Sequence, residues 1–88
     1  MIILDSARKH GVSDFEMLSL IANPYVVYEF ESDSGKLLYL GFDSKARAIE
    51  VITDSGKSGQ EFVIHADFIT KYNERILQEA LKWTKKWN

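Results

Sequence analysis

Between residues 25 and 65 the chain alternates apolar and polar positions in period two, in four runs each cut off by a turn signal. On either side the rhythm is helical. In residues 25–31, Val26, Tyr28 and Phe30 alternate with Val27, Glu29 and Glu31, the pattern of a strand with one buried face. Ser32, Asp33, Ser34 and Gly35 end that run, because Asp and Ser bond nearby amides and Gly accepts positive φ. Residues 37–42 place Leu38, Leu40 and Phe42 on one side, and Asp43, Ser44 and Lys45 make the next turn. Residues 46–53 set Ile49 and Val51 against Ala48, Glu50 and Ile52; residues 60–65 set Phe62 and Ile64 against Glu61, Val63 and His65. Connections this short favour antiparallel neighbours, since a parallel crossover needs a dozen or more residues. The predicted core wall is Val26, Tyr28, Phe30, Leu38, Leu40, Phe42, Ile49, Val51, Phe62 and Ile64. The opposite face, carrying Glu29, Glu31, Glu50, Glu61 and His65, is acidic, and is either partly covered or a contact surface.

Before the strands, residues 2–4 form either a short strand or a hydrophobic anchor. Asp5 or Ser6 caps a short helix through His10, which Gly11 ends in a left-handed conformation. Ser13 and Glu16 fit a capping box, with Val12 stapling against Met17, and Phe15, Leu18, Ile21 and Ala22 make an inward stripe that ends at Asn23 and Pro24. After the strands, Asp67 is the predicted cap of a helix running to about Lys86. Its stripe is Ile69, Tyr72, Ile76, Ala80, Trp83 and Trp87, widened by Leu77 and Leu81. The expected fold is therefore a single α+β domain over residues 1–88, with two short N-terminal helices, a four-stranded antiparallel meander and a long C-terminal helix packed on the sheet.

Composition narrows the chemistry. Eleven basic and thirteen acidic side chains leave a formal charge of −2, which argues against sequence-independent nucleic-acid binding by the whole surface and leaves room for a local basic patch. Without cysteine there is no disulfide, thiolate nucleophile or thiolate metal site, and two histidines alone do not fill a zinc site. The apolar Met1 to Leu4 segment, interrupted by Asp5, is too short for a signal peptide or a membrane span. A cytoplasmic location is expected, with no membrane contact. Gly56, Lys57 and Ser58 lack the upstream glycine of a phosphate-binding loop, so no cofactor motif is present.

Periodicity and composition name no function. The segment Ala7-Arg8-Lys9-His10-Gly11-Val12-Ser13, an amphipathic helix, Asn23-Pro24, and a meander ending in Val63-Ile64-His65-Ala66 resemble the BrnT-like toxins of bacterial toxin-antitoxin pairs, within the wider RelE/ParE-type group. The resemblance implies a small toxin that cleaves RNA and is held inactive by a cognate antitoxin, a small DNA-binding protein encoded beside it. Lys9 and His10 match the family's Lys-His-Gly motif, and His65 and Ala66 match the end of its last strand. Asp67 stands where members often carry an arginine, and a carboxylate there repels the phosphate an arginine would clamp.

Metal-free RNA cleavage needs a base for the 2′-hydroxyl, an acid for the leaving oxygen and cations for the charge on phosphate. Histidine suits the proton steps because it titrates near neutrality. His10, His65 and Lys9 are the candidate catalytic residues, with Arg8, Arg47 and Lys71 the candidate RNA phosphate ligands. A plainer explanation stands beside each. Lys9 and His10 suit the carbonyl end of a short helix, His65 can bond a backbone carbonyl, and the aromatic residues of the last helix fill the core or cover its edge. A non-catalytic protein-binding module whose acidic face receives a basic antitoxin segment is the alternative function.

Overall fold

The computed structural model describes residues 1–32, 35–56 and 59–86. Five strands, β1 (Ile2–Ile3), β2 (Val26–Glu29), β3 (Lys36–Phe42), β4 (Ala48–Ser55) and β5 (Glu61–Phe68), form one sheet in the order β1-β5-β4-β3-β2. The predicted four-stranded antiparallel meander is thus incomplete. Ile2 and Ile3 pair with Phe62 and Val63 in parallel, making a fifth, edge strand and a mixed sheet. A parallel pairing is available here because most of the chain lies between the partners.

The expected pair of N-terminal helices is also corrected. Only α1 (Asp14–Ala22) is an α-helix, and Asp5–Arg8 is a single 3₁₀ turn without a side-chain cap. The Ser6 hydroxyl, read from sequence as a possible cap, instead donates to the Ile64 carbonyl across the fold at 2.8 Å.

The register sets which side chains share a face. Leu38 pairs with Ile52, Tyr39 with Val51 and Leu40 with Glu50, so Leu38 and Leu40 lie with Ala48 and Ile52, whereas Tyr39 lies with Ile49 and Val51. The sequence reading had these strands out of phase by one residue. Such a slip moves every side chain to the other face, and here alternation could not prevent it because both faces are apolar. Ala7, Val12, Met17 and Leu20 cover Tyr39, Ile49, Val51, Val63 and Ala66 on one side. On the other, Leu77 of α2 (Lys71–Lys86) packs with Leu38 and Leu40, flanked by Val26, Phe30, Ile52, Ile76 and Leu81. Of the predicted acidic face, Glu50 is buried, at 3% exposure, while Glu29 and Glu31 stay exposed.

The turn between β3 and β4 fixes the phase that alternation left open. The Asp43 amide donates to the Arg47 carbonyl at 2.9 Å around a three-residue loop whose last member, Ala46, is left-handed at φ 62. The Asp43 carboxylate accepts the Lys45 and Arg47 amides, each at 2.9 Å. Burial pushes its carboxyl up, but the Arg47 amide and guanidinium and the Lys45 amide outweigh that and hold it below its usual range.

α1 turns a different face inward from the predicted one. Met17 and Leu20 are buried, while Phe15 and Leu18 are exposed. Gly41 permits this, since a Cβ there would stand 2.5 Å from Leu20 Cδ1. Ser13 Oγ accepts the Glu16 amide, but the Glu16 carboxylate goes to the Ser44 amide at 2.6 Å rather than back to Ser13, so only half the capping box forms.

α2 is capped by Thr70, not Asp67: Thr70 Oγ1 accepts the Asn73 amide at 3.4 Å, and Asp67 is still within β5. Tyr72 and Trp83 are exposed rather than core residues, and Trp87, Lys57, Ser58, Asp33 and Ser34 lie outside the described residues. Among the described residues no helix is long and apolar enough to cross a membrane.

Candidate functional site: two imidazoles and their carboxylates

The site is assembled by an irregularity in β5. Val63 pairs with Thr53 and His65 with Ile52, so Ile64 is an extra residue, a β-bulge. The freed Ile64 carbonyl accepts the Ser6 hydroxyl, and the Val63 carbonyl accepts the Leu4 amide at 3.0 Å. These two bonds strap the N-terminal turn along β5. His10, just past that turn, thereby comes to His65 with ring centroids 5.8 Å apart and planes tilted by 60°.

Each ring has its own carboxylate. His65 Nε2 lies 2.9 Å from Glu50 Oε2, and His10 Nδ1 lies 3.6 Å from Asp67 Oδ2. The His10 side chain is 43% exposed and that of His65 32%, so both rings reach solvent. Glu50 is deeply held: Oε1 accepts the Thr70 amide at 2.7 Å and Asn73 Nδ2 at 3.1 Å. Burial pushes the Glu50 carboxyl up, yet the Thr70 amide, His65 and Asn73 together hold it below its ordinary value. An ionised Glu50 only accepts, so the hydrogen between the pair belongs to His65 Nε2 and the free nitrogen of that ring is Nδ1. On His10 the nitrogen turned to Asp67 is Nδ1, at ion-pair rather than hydrogen-bond distance.

The candidate cations divide. Lys9 is exposed beside His10, and Lys71, also exposed, opens α2 next to Thr70. Arg8 is occupied elsewhere, with Nε and Nη2 on the two Asp14 oxygens at 3.0 and 2.9 Å and Nη1 on Asp5 at 3.4 Å. The hydrogen bond from Arg8 holds the Asp14 carboxyl below its usual range. Arg47 lies beyond β5 from the imidazoles. Its guanidinium sits 4.9 Å over the Phe68 ring, and Phe68 projects to the opposite face of the strand from Asp67. Among the described residues, no group of three or more His, Asp or Glu side chains is set to hold a metal ion.

The chain matches no protein-family model, no curated protein and no solved structure. Its site is read from its own residues. Sequence reasoning missed Glu50, which it placed on an open face, and Asp67, which it took for a helix cap. The signal for Glu50 was present, since it is the one charge inside the run from Ala48 to Thr53, where β4 is otherwise apolar.

Proposed function

We propose that the chain is a metal-independent endoribonuclease, the toxin of a toxin-antitoxin pair, in which His10 and His65 exchange protons with one phosphodiester. The observation that supports it is the 5.8 Å approach of two solvent-reaching imidazoles, each backed by a carboxylate. His65, its tautomer fixed by Glu50, accepts the proton of the 2′-hydroxyl at Nδ1, and the resulting oxygen attacks the adjacent phosphorus. His10, protonated and beside Asp67, donates from Nε2 to the departing 5′-oxygen. The products are a 2′,3′-cyclic phosphate and a free 5′-hydroxyl, with His65 holding the proton taken from the 2′-hydroxyl and His10 having given one to the 5′-oxygen. Lys9 and Lys71 are the cations left to offset charge on the phosphate. The antitoxin, by the resemblance in sequence, is a small DNA-binding protein.

The second reading, a non-catalytic module that binds such a partner, is favoured by the commitment of Arg8 and Arg47 to Asp14 and Asp43. Cleavage of single-stranded RNA by the purified chain separates the two. The nuclease reading expects cyclic-phosphate ends and a rate lowered at least about 100-fold in His10→Ala and in His65→Ala. Folded wild-type protein that leaves RNA intact, yet is retained by a small basic protein, supports the binding module instead.

A further inference from the structure

On the other side of β5 from the imidazoles, a cleft of about 220 Å³ opens between residues 11–13 and the β3–β4 turn, and the cleavage reaction makes no use of it. We propose that this cleft holds one unstacked nucleobase of single-stranded RNA, laid on the outer face of the Arg47 guanidinium, with an adjoining phosphate on Lys45. The identity of the ligand as RNA rests on the nuclease reading; the stacking platform rests on geometry alone.

The Arg47 guanidinium already lies over the Phe68 ring, with Cζ 4.9 Å from the ring centroid. Asp43 Oδ2 accepts from Arg47 Nε at 2.7 Å and so fixes the guanidinium plane from its edge. The terminal amino groups bond nothing among the described residues, and 53% of the side chain is exposed, which leaves the second face of that plane open. Bases unstacked from their neighbours settle on aromatic rings and on arginine planes alike.

Charge distinguishes a base from a bare phosphate here. Glu16 and Asp43 line the cleft together with Lys45 and Arg47, so the four side chains cancel. Both carboxylates are engaged from within, Glu16 through Oε2 by the Ser44 amide and Asp43 by the Lys45 and Arg47 amides and Arg47 Nε. A neutral lining with an open cationic plane suits a flat, polarisable ring better than an isolated anion. The volume, below the roughly 300–1,000 Å³ of sites for drug-sized ligands, suits one ring system rather than a larger molecule.

The cleft is also adjacent to the imidazoles along the chain. Gly11, at its rim, follows His10, and Phe68 follows Asp67, the partner of His10. A Cβ on Gly11 would stand 4.0 Å from the Phe68 ring, so Gly11 and Phe68 are close neighbours at this rim. A strand leaving the scissile phosphate over Gly11 delivers its next base to Arg47.

The test uses a fluorescein-labelled 2′-O-methyl oligoribonucleotide, which binds but lacks the attacking hydroxyl, read by anisotropy with the full chain. Arg47→Ala is expected to weaken binding about tenfold, the usual effect of losing one stacked base. Arg47→Lys, which keeps the ion pair with Asp43 but loses the plane, is expected to be weakened similarly, and Lys45→Ala to lower the salt slope by roughly 0.7. Wild-type protein that does not bind the oligomer, or Arg47 variants that bind it within twofold of wild type, overturns the proposal. A free mononucleotide binding as tightly as the oligomer overturns the assignment to an RNA strand. His-dependent cleavage with inert Arg47 variants removes the cleft and spares the nuclease, whereas Arg47-dependent binding without cleavage removes the nuclease and spares the cleft.

Discussion

Glu50 Oε2 lies 2.9 Å from His65 Nε2 while Glu50 Oε1 takes the Thr70 amide at 2.7 Å, so a single buried carboxylate orients an imidazole and seats the start of α2. The two roles are inseparable in any variant of Glu50. Glu50→Gln keeps the size but offers an amide hydrogen where His65 Nε2 already carries one. We expect a loss of about 2–3 kcal/mol, the range for a buried hydrogen bond to a charged group, seen as a lower urea midpoint. The wild-type ring should show Nε2–H by nitrogen NMR, and the variant should shift toward Nδ1–H.

Acid should weaken the fold by a definite route. The folded carboxyl of Glu50 is held below its ordinary 4.5 and that of Asp43 below its ordinary 3.8, so in acid the unfolded chain binds protons that the folded chain refuses. Their stabilising contribution is complete above about pH 4.5 and is lost as pH falls through the lowered folded values. Urea midpoints measured from pH 7 down to pH 3 should be level at first and then decline. Glu50→Gln should blunt the upper part of that decline, and a midpoint that rises in acid would contradict the assignment.

Ser6→Ala removes the hydroxyl that holds the Ile64 carbonyl at 2.8 Å. The expected cost is modest, about 1 kcal/mol, since the bond is exposed. Its sharper effect is on position, because the strap that carries His10 to His65 loses one of its two bonds to β5. Proton NMR contacts between the imidazoles should weaken in Ser6→Ala and persist in Ser6→Thr.

Gly41→Ala places a methyl group 2.5 Å from where Leu20 Cδ1 now stands, and should cost about 1–3 kcal/mol as an overpacked contact. Leu20→Ala alone should cost about 2–5 kcal/mol through the cavity it leaves. In the double variant the methyl group has room, so the two losses should fall short of their sum. Strict additivity in thermal or urea unfolding would mean that α1 does not rest on Gly41 through Leu20.

The strand runs were legible because each is bounded by turn residues, and α2 was legible because its apolar positions recur at helical spacing. Phase was not. Leu37 to Leu40 are apolar on both alternations, Ile49 to Ile52 depart from that only at Glu50, and the bonded turn from Asp43 to Arg47 chooses between the phases. Ile2 and Ile3 were too few to show a period, and their partner Phe62 is remote in the chain. The stripe of α1 misled because Phe15 and Leu18 have helical spacing but face outward, their place being taken by Met17 and Leu20 over Gly41. At the site, the two histidines drew notice as the only imidazoles in the chain. The local sequence marks Glu50 as the one charge in an apolar run, but that Thr70 and Asn73 would be its partners follows from the placement of α2.

The extra residue in β5 has a consequence for how this chain can vary. Ile64 contributes its place in the count more than its side chain, because the carbonyl that Ser6 seizes belongs to the backbone. Exchanging its side chain should be forgiven, whereas excising the residue would straighten the strand and withdraw the anchorage of the N-terminal turn. Length between Val63 and His65, rather than identity, is the quantity that natural variants of this chain must preserve.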